Sequence, residues 1–303
     1  PAPMAIIDAV EAAYNKPFAS GIALERQLIN KLFLTTESLA LRHLFFTERL
    51  AAKVPDIDKS VPLLEIKKAA VIGGGLMGGG ITMNFANAGI PVSMIETSEE
   101  RLKLGYETIK KNYSSTVSKG RLRQTEMDER LKLINQTTEF ENVRDADIVI
   151  EAVYEEMGLK KEIFKKLDDL AKPTAILATN TSTLDVNEIA GVTNRPQSVL
   201  GTHFFSPANV MKLLEVVRGA ETSQEVLATA MKLGKKINKV SVCVGVCDGF
   251  VGNRMIHHYI REAGFLIEEG ALPQQVDKAI EEFGFAMGPF RMSDLAGLGI
   301  GWA

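Results

Sequence analysis

From Lys67 onward the chain alternates short apolar runs with longer amphipathic stretches. KAAVI, PVSMI, LKLIN, DIVIEAV, AILAT and SVLGTHF have the length and the β-branched content of strands. The segments between the first five are long enough for crossover helices, which predicts an α/β fold with a doubly wound parallel sheet and helices on both faces. KLLEVV, a helical TSQEVLATAMKLGKKINK and a strand-like VSVCVGV follow. From Gly249 the pattern is helical only, in FVGNRMIHHYIREAGFLIEEG and PQQVDKAIEEF.

The chain begins helical as well. In ERQLINKLFLTTESLALRHLFFTERLAAK, Leu28, Leu32, Leu39, Leu44 and Phe45 can line one side, and Thr36 can start a second helix. VPDIDKSVPLLEIKK reads as a linker because Pro55 and Pro62 lack the backbone donors a helix needs. The expected organisation is a helical arm and linker over 1–64, an α/β domain over 65–248 and a helical domain over 249–303.

The first apolar run leads into GGGLMGGG. Gly73-x-Gly75-x-x-Gly78 sits between that predicted strand and the helix-like ITMNFANAG. In such a context Gly73 permits the tight turn, Gly75 lets backbone approach a pyrophosphate, and Gly78 lets the helix lie on the strand. The phosphates would then meet the unpaired N–H groups of a helix N-terminus. PVSMI runs into Glu96, where a carboxylate can accept hydrogen bonds from an adenosine ribose and repel a 2′-phosphate. The α/β part is therefore expected to be a Rossmann-type domain with NAD as its cofactor. Thr97-Ser-Glu-Glu100 reads as the next helix start.

THFFSPANVMKLLEVV brings in the chemistry. If the chain reverses near Asn209, His203 and Glu215 are equidistant from the turn and face each other across a hairpin. A carboxylate on one imidazole nitrogen fixes the tautomer and leaves the other nitrogen free to accept a proton, so the pair reads as a general-base dyad.

Taken together, GGGLMGGG, EAVYE, ATNTST, THFFSP, MKLLEVV, GFVGNR and MGPFRMSDLAG resemble the L-3-hydroxyacyl-CoA dehydrogenase region of multifunctional fatty-acid β-oxidation enzymes, from about Ile66 to the end. Residues 1–64 are similar to the segment that follows the hydratase/isomerase domain there. The resemblance implies oxidation of an L-3-hydroxyacyl-CoA by NAD⁺ to the 3-ketoacyl-CoA, with His203 and Glu215 as the catalytic pair. It puts Ser182 and Asn253 at substrate or nicotinamide, and adds Met77, Val153, Tyr154, Glu155 and Lys160 to Glu96 and the three glycines as cofactor positions. Ser206 departs from the family, where many members carry Asn; a hydroxyl is shorter and offers one donor instead of two. Glu151 is read as structural. Of the seven basic residues from Arg101 to Arg123, Lys119 is singled out for the phosphates of coenzyme A.

The family's helical domain normally runs well past GPF, so the one here is expected to be incomplete. Its apolar positions Phe265, Leu266, Phe283 and Phe285 would then lack partners and favour self-association or docking. A second reading, a cofactor-binding and docking module without turnover, stays open. A related chemistry with a catalytic lysine is disfavoured, because GFVGNR offers none near Asn253.

Thirty-five Lys and Arg against 38 Asp and Glu leave a net charge of −3, which provides no global field for nucleic acid. Ala69 to Ile95 carries no charge but holds seven glycines and Pro91, so no membrane span is expected. No secretory signal is read at the start, and a chain opening on Pro1 suggests a processed product or a fragment. Cys243 and Cys247 read as buried thiols of a reducing compartment: the cytoplasm, with an organelle matrix also compatible. His43, His257 and His258 lack the spacing of a metal site, and none is expected.

Overall fold

A computed structural model describes residues 1–58 and 60–296. Lys59 of the linker and 297–303 of the expected helical domain lie outside the described residues. Two compact units divide at Lys53 and Val54.

The first unit holds α1 (Ala2–Asn15), α2 (Phe18–Phe33) and α3 (Thr36–Ala51). The break between the last two has a local cause: the Thr35 hydroxyl accepts the Ser38 N–H at 3.3 Å and caps α3. Because of that break the expected stripe does not run on as one buried face. Leu28 and Leu32 on α2 are half-buried, whereas Leu39, Leu44 and Phe45 on α3 are exposed.

The second unit begins earlier than the anticipated arm ends. Val54, Ile57, Leu64 and Ile66 pack onto the core of the sheet, so the linker belongs with it. The sheet has eight strands: β1 (Ala69–Ile72), β2 (Val92–Ile95), β3 (Ile134–Thr137), β4 (Ile148–Glu151), β5 (Ile176–Thr179), β6 (Val199–Phe204), β7 (Leu213–Arg218) and β8 (Val240–Gly245). Their order is β3-β2-β1-β4-β5-β6-β7-β8, and every neighbouring pair is parallel except β6 with β7. The chain order reverses direction at β1, the switch point at whose carboxyl side doubly wound sheets bind nucleotides.

Alternation along the central strands gives each face its own core. Val71, Ile150 and Ala178 face α4 (Leu76–Asn87), α5 (Glu99–Ser118) and α9 (Gln224–Lys236). Ile72, Val149 and Leu177 face α7 (Met157–Leu170) and α8 (Val186–Ala190). The third strand is shifted from LKLIN. Leu131 lies in α6 (Gln124–Lys132) and Leu133 caps it, both packed on the core from the helix side.

After β8 come α10 (Gly252–Glu268), α11 (Pro273–Phe283) and α12 (Pro289–Ala296). The buried Asp277 of α11 accepts the N–H groups of Phe290 and Arg291 and so anchors the start of α12. Both cysteines are free and only half-buried: Cys243 lies on β8, the edge strand of the sheet, and Cys247 in the loop after β8 ends at Gly245. Among the described residues no helix is long and apolar enough to cross a membrane.

Candidate active site

The glycine turn joins β1 to α4. Gly73 has φ +99°, and a Cβ there would lie 2.6 Å from the Ala152 carbonyl oxygen. A Cβ on Gly78 would lie 1.8 Å from the Gly73 carbonyl oxygen, so only glycine lets α4 sit this close to the strand. Gly75, which caps α4, has nothing within 4 Å of its Cβ position. Backbone N–H groups at a helix N-terminus therefore face open space that a side chain would fill, which is the form of a pyrophosphate cradle.

Around this turn stand the other expected cofactor positions. Glu96 follows β2 directly; its Oε1 accepts the Gly74 N–H at 2.7 Å and its Oε2 the Thr97 N–H at 2.9 Å. The cap of α5 is instead Ser98, whose hydroxyl accepts from Arg101. Met77 is half-buried against the core, and Val153 is half-buried beyond β4. Tyr154 is exposed, with the Arg101 guanidinium 5.8 Å from its ring centroid. A carboxylate beside an open glycine turn suits the diol of a ribose, so these residues fit a dinucleotide.

Lys160 and Glu155 belong to a cluster that Glu151 organises. The Lys160 ammonium, with its side chain 1 % exposed, donates to Glu151 at 2.6 Å and lies 3.3 Å from Glu155. Lys160, expected at the cofactor, is thus a buried charge held by two glutamates. Glu151, read as merely structural, also accepts the Thr179 hydroxyl at 2.7 Å and the Val153 N–H at 2.8 Å. Glu155 Oε1 accepts the Thr181 hydroxyl at 2.6 Å, and the Ser182 N–H and hydroxyl at 2.6 and 3.0 Å. Burial pushes the Glu155 carboxyl up, but Thr181, Lys160 and Ser182 outweigh it and hold the group below its ordinary value.

His203 and Glu215 are register partners across the antiparallel β6–β7 pair. His203 Nδ1 lies 2.7 Å from Glu215 Oε2, and both side chains are buried. The other carboxylate oxygen accepts the Gly252 N–H at 2.8 Å and the Val251 N–H at 3.1 Å, at the start of α10. Burial raises the Glu215 carboxyl; the bond to His203 and the Gly252 N–H prevail and hold it below its ordinary value. Phe205 and Phe250 flank the imidazole, with centroids 4.5 and 5.6 Å away. Asn253 is half-buried in the first turn of α10, so one carboxylate ties the histidine to the helix that carries the asparagine.

Asn180, which sequence reading passed over within ATNTST, stitches three strand ends together. Its N–H donates to the Glu151 carbonyl and its side-chain oxygen accepts the Phe204 N–H. Ser206 is half-buried in the turn after β6. Lys119 is exposed at the far end of α5, and His257 and His258 are exposed on α10. Among the described residues no three His, Cys, Asp or Glu side chains group as a metal site.

Comparison with known proteins gives this arrangement its family. Residues 68–247 match the 3-hydroxyacyl-CoA dehydrogenase NAD binding domain, and residues 249–303 match the C-terminal domain of the same family. A peroxisomal bifunctional enzyme of Danio rerio is 48 % identical over 99 % of this chain and 42 % of its own length. The Homo sapiens counterpart is 44 % identical over 98 % of this chain and 42 % of its own. A peroxisomal fatty acid β-oxidation multifunctional protein of Arabidopsis thaliana is 40 % identical over 98 % and 41 %. The chain thus spans about two fifths of these relatives, and their peroxisomal names give no support to the cytoplasmic compartment expected above. Among solved structures, FadB2 of M. tuberculosis aligns with a TM-score of 0.75 at 37 % identity, over 78 % of this chain and 84 % of that one. An E. coli 3-hydroxybutyryl-CoA dehydrogenase aligns with a TM-score of 0.74 at 36 % identity, over 78 % and 51 %. Two adjoining family domains, a doubly wound sheet with an open glycine turn, and relatives of this identity agree: the chain belongs to the 3-hydroxyacyl-CoA dehydrogenase family and carries its NAD-binding domain.

Proposed function

We propose that this chain catalyses the NAD-dependent oxidation of an L-3-hydroxyacyl-CoA to the 3-ketoacyl-CoA, a step of fatty-acid β-oxidation, with His203 as general base. The observation that carries this reading is the 2.7 Å contact between His203 Nδ1 and Glu215 Oε2. That bond sets the imidazole tautomer, leaving Nε2 to take the proton of the substrate hydroxyl and Glu215 to stabilise the imidazolium that forms. NAD⁺, when bound, supplies the acceptor for the hydride leaving the same carbon.

Ser182 and Asn253 are suited to hydrogen-bonding the reacting oxygen without changing its charge. The Ser182 hydroxyl donates its single proton to Glu155, so it would turn from that carboxylate to donate to the reacting oxygen. Gly73, Gly75, Gly78, Met77, Glu96, Val153, Tyr154 and Ser206 form the cofactor side, with Lys160 acting on it through Glu155. Lys119 is assigned to the coenzyme A phosphates. Residues 65–248 then carry the cofactor and residues 249–303 close the acyl side, in the organelle matrix where the relatives are named. Self-association through the helical end completes the reading.

In purified, folded protein, His203→Gln should lower turnover of a 3-hydroxyacyl-CoA by at least about a hundredfold, the size of a lost general base. NADH affinity should stay close to that of the parent chain. Turnover near the parent rate would remove His203 from the mechanism. A second reading, a docking module that binds NADH without turnover, is favoured by one observation: the aromatic surface on α11 and the residues that follow it is exposed. NADH binding by a chain inactive on every 3-hydroxyacyl-CoA offered would establish it instead.

A further inference from the structure

The turn from β6 to β7 spans residues 205–212 and has no regular structure, yet it is held from two sides. Gly80 on α4 lets it lie against that helix. A Cβ there would come within 3.0 Å of the Ala208 side chain and 3.1 Å of the Asn209 nitrogen. One helical turn further on, the buried Asn84 donates its side-chain amide to the Ala208 carbonyl at 3.0 Å. From the opposite side Lys239, in the link between α9 and β8, donates to the same carbonyl at 2.6 Å and to that of Met211 at 2.7 Å.

Lys239 is 8 % exposed and both of these bonds go to carbonyls, while burial pushes its ammonium down to about 8. Among the described residues no carboxylate forms a salt bridge with it, and a buried ammonium without one costs more than an apolar side chain of the same length would. Filling space does not account for it, whereas fixing two carbonyls of one loop does. The loop matters because it links two parts of the site that the sheet keeps apart. β1, which leads into the glycine turn, is three strands from β6, about 14 Å at the usual strand spacing. At Ala208 the helix that follows the glycine turn touches the hairpin of His203 and Glu215 directly.

We propose that Lys239 and Asn84 are positioning residues of the dehydrogenation reaction: by converging on the Ala208 carbonyl they lock the His203–Glu215 hairpin onto the helix that starts at the cofactor turn. The proposal rests on the function read above. Neither residue touches the reacting atoms; their effect is on where His203 stands relative to a cofactor held by α4. Misplacement on the scale of 1 Å is enough to cost about a hundredfold in rate.

The test compares Lys239→Met and Asn84→Ala with Lys236→Met, an exposed lysine of α9. Four quantities are read on folded protein: kcat and KM with a 3-hydroxyacyl-CoA, NADH affinity, melting temperature, and the ¹⁵N signals of the His203 ring. Lys239→Met should lower kcat by at least about tenfold, with NADH affinity within about twofold of the parent, and should shift the His203 ring signals. Lys236→Met should change none of these. A residue that only stabilised the fold would lower the melting temperature and leave kcat and the ring signals unmoved; that result in folded Lys239→Met overturns the proposal. If Lys239→Met does not fold, Asn84→Ala decides by the same criteria. If the parent chain proves inactive, the functional reading fails by itself, and the ring signals still decide the clamp: shifted signals support it and unmoved ones overturn it.

Discussion

Glu151 and Lys160 meet at 2.6 Å with side chains 0 % and 1 % exposed, and removing either takes from the other its nearest charged partner. Glu151 has two further donors, Thr179 and Val153, so its charge is better satisfied than that of the lysine. Losing one member of a buried pair typically costs about 3–5 kcal/mol, while replacing both by apolar residues of similar volume costs much less. Glu151→Leu should therefore lower the free energy of unfolding in urea by about that amount, and Glu151→Leu combined with Lys160→Met should recover most of it. A double variant as unstable as the single one would mean that the cluster stabilises through its hydrogen bonds, independently of the ion pair. The sequence shows this site only in part. An acid ending an apolar strand, nine residues before a lysine on the next helix, is visible. That the lysine turns inward under Glu155 depends on how α7 packs.

At the scale of elements, the positions best read from sequence are those governed by local pattern. His203 and Glu215 stand opposite each other because both lie the same number of residues from Asn209 in a chain that does reverse there. The glycine turn, the strand preceding it and Glu96 at the end of the second strand follow from spacing in the same way. The misplacements arise where two patterns overlap. LKLIN is apolar enough for a strand, but Leu131 and Leu133 finish a helix that the acidic and basic residues before them had begun. Leu39, Leu44 and Phe45 fit the period of Leu28 and Leu32, until the cap at Thr35 restarts the count. Asn84 and Lys239 leave no mark at all in sequence, because their shared carbonyl lies 124 and 31 residues away along the chain.

The second and third glycines of the cofactor motif, Gly75 and Gly78, allow the elements to be tested separately. At Gly78 an added Cβ would sit 1.8 Å from a backbone oxygen, so Gly78→Ala should force α4 off β1 and destabilise the sheet domain. At Gly75 an added Cβ meets nothing within 4 Å, so Gly75→Ala should melt close to the parent chain while NADH affinity falls. Calorimetry with and without NADH distinguishes the two. If Gly75→Ala bound NADH as the parent does, the open space at the start of α4 would not be where the pyrophosphate lies.

For the molecule as a whole, the proposed reading would rest cofactor binding and acyl binding on different parts of the second unit. The glycine turn, Glu96 and the Glu151–Lys160 cluster all stand on the sheet and its covering helices. Asn253 stands on α10, joined to the dyad through Glu215 and the first N–H groups of that helix. The helical part also carries exposed rings: Phe283 is 82 % exposed and Phe285 52 %, with their centroids 6.2 Å apart. Tyr259 stacks on Phe285 at 6.0 Å, and Phe265 and Leu266 on α10 are also exposed. Burying an aromatic or leucine side chain of this kind is worth about 1.5–3 kcal/mol, so the exposed, touching rings of Phe283 and Phe285 favour a partner surface. The chain should accordingly associate with itself as its concentration rises, and Phe283→Ser combined with Phe285→Ser should weaken that association. Neither serine should disturb the glycine turn, so NADH affinity per chain should stay the same. Sedimentation velocity across a range of concentrations checks this directly. A parent chain that remains a single monomeric species throughout, or a double variant that associates as strongly as the parent, would show that these rings are not a self-association surface.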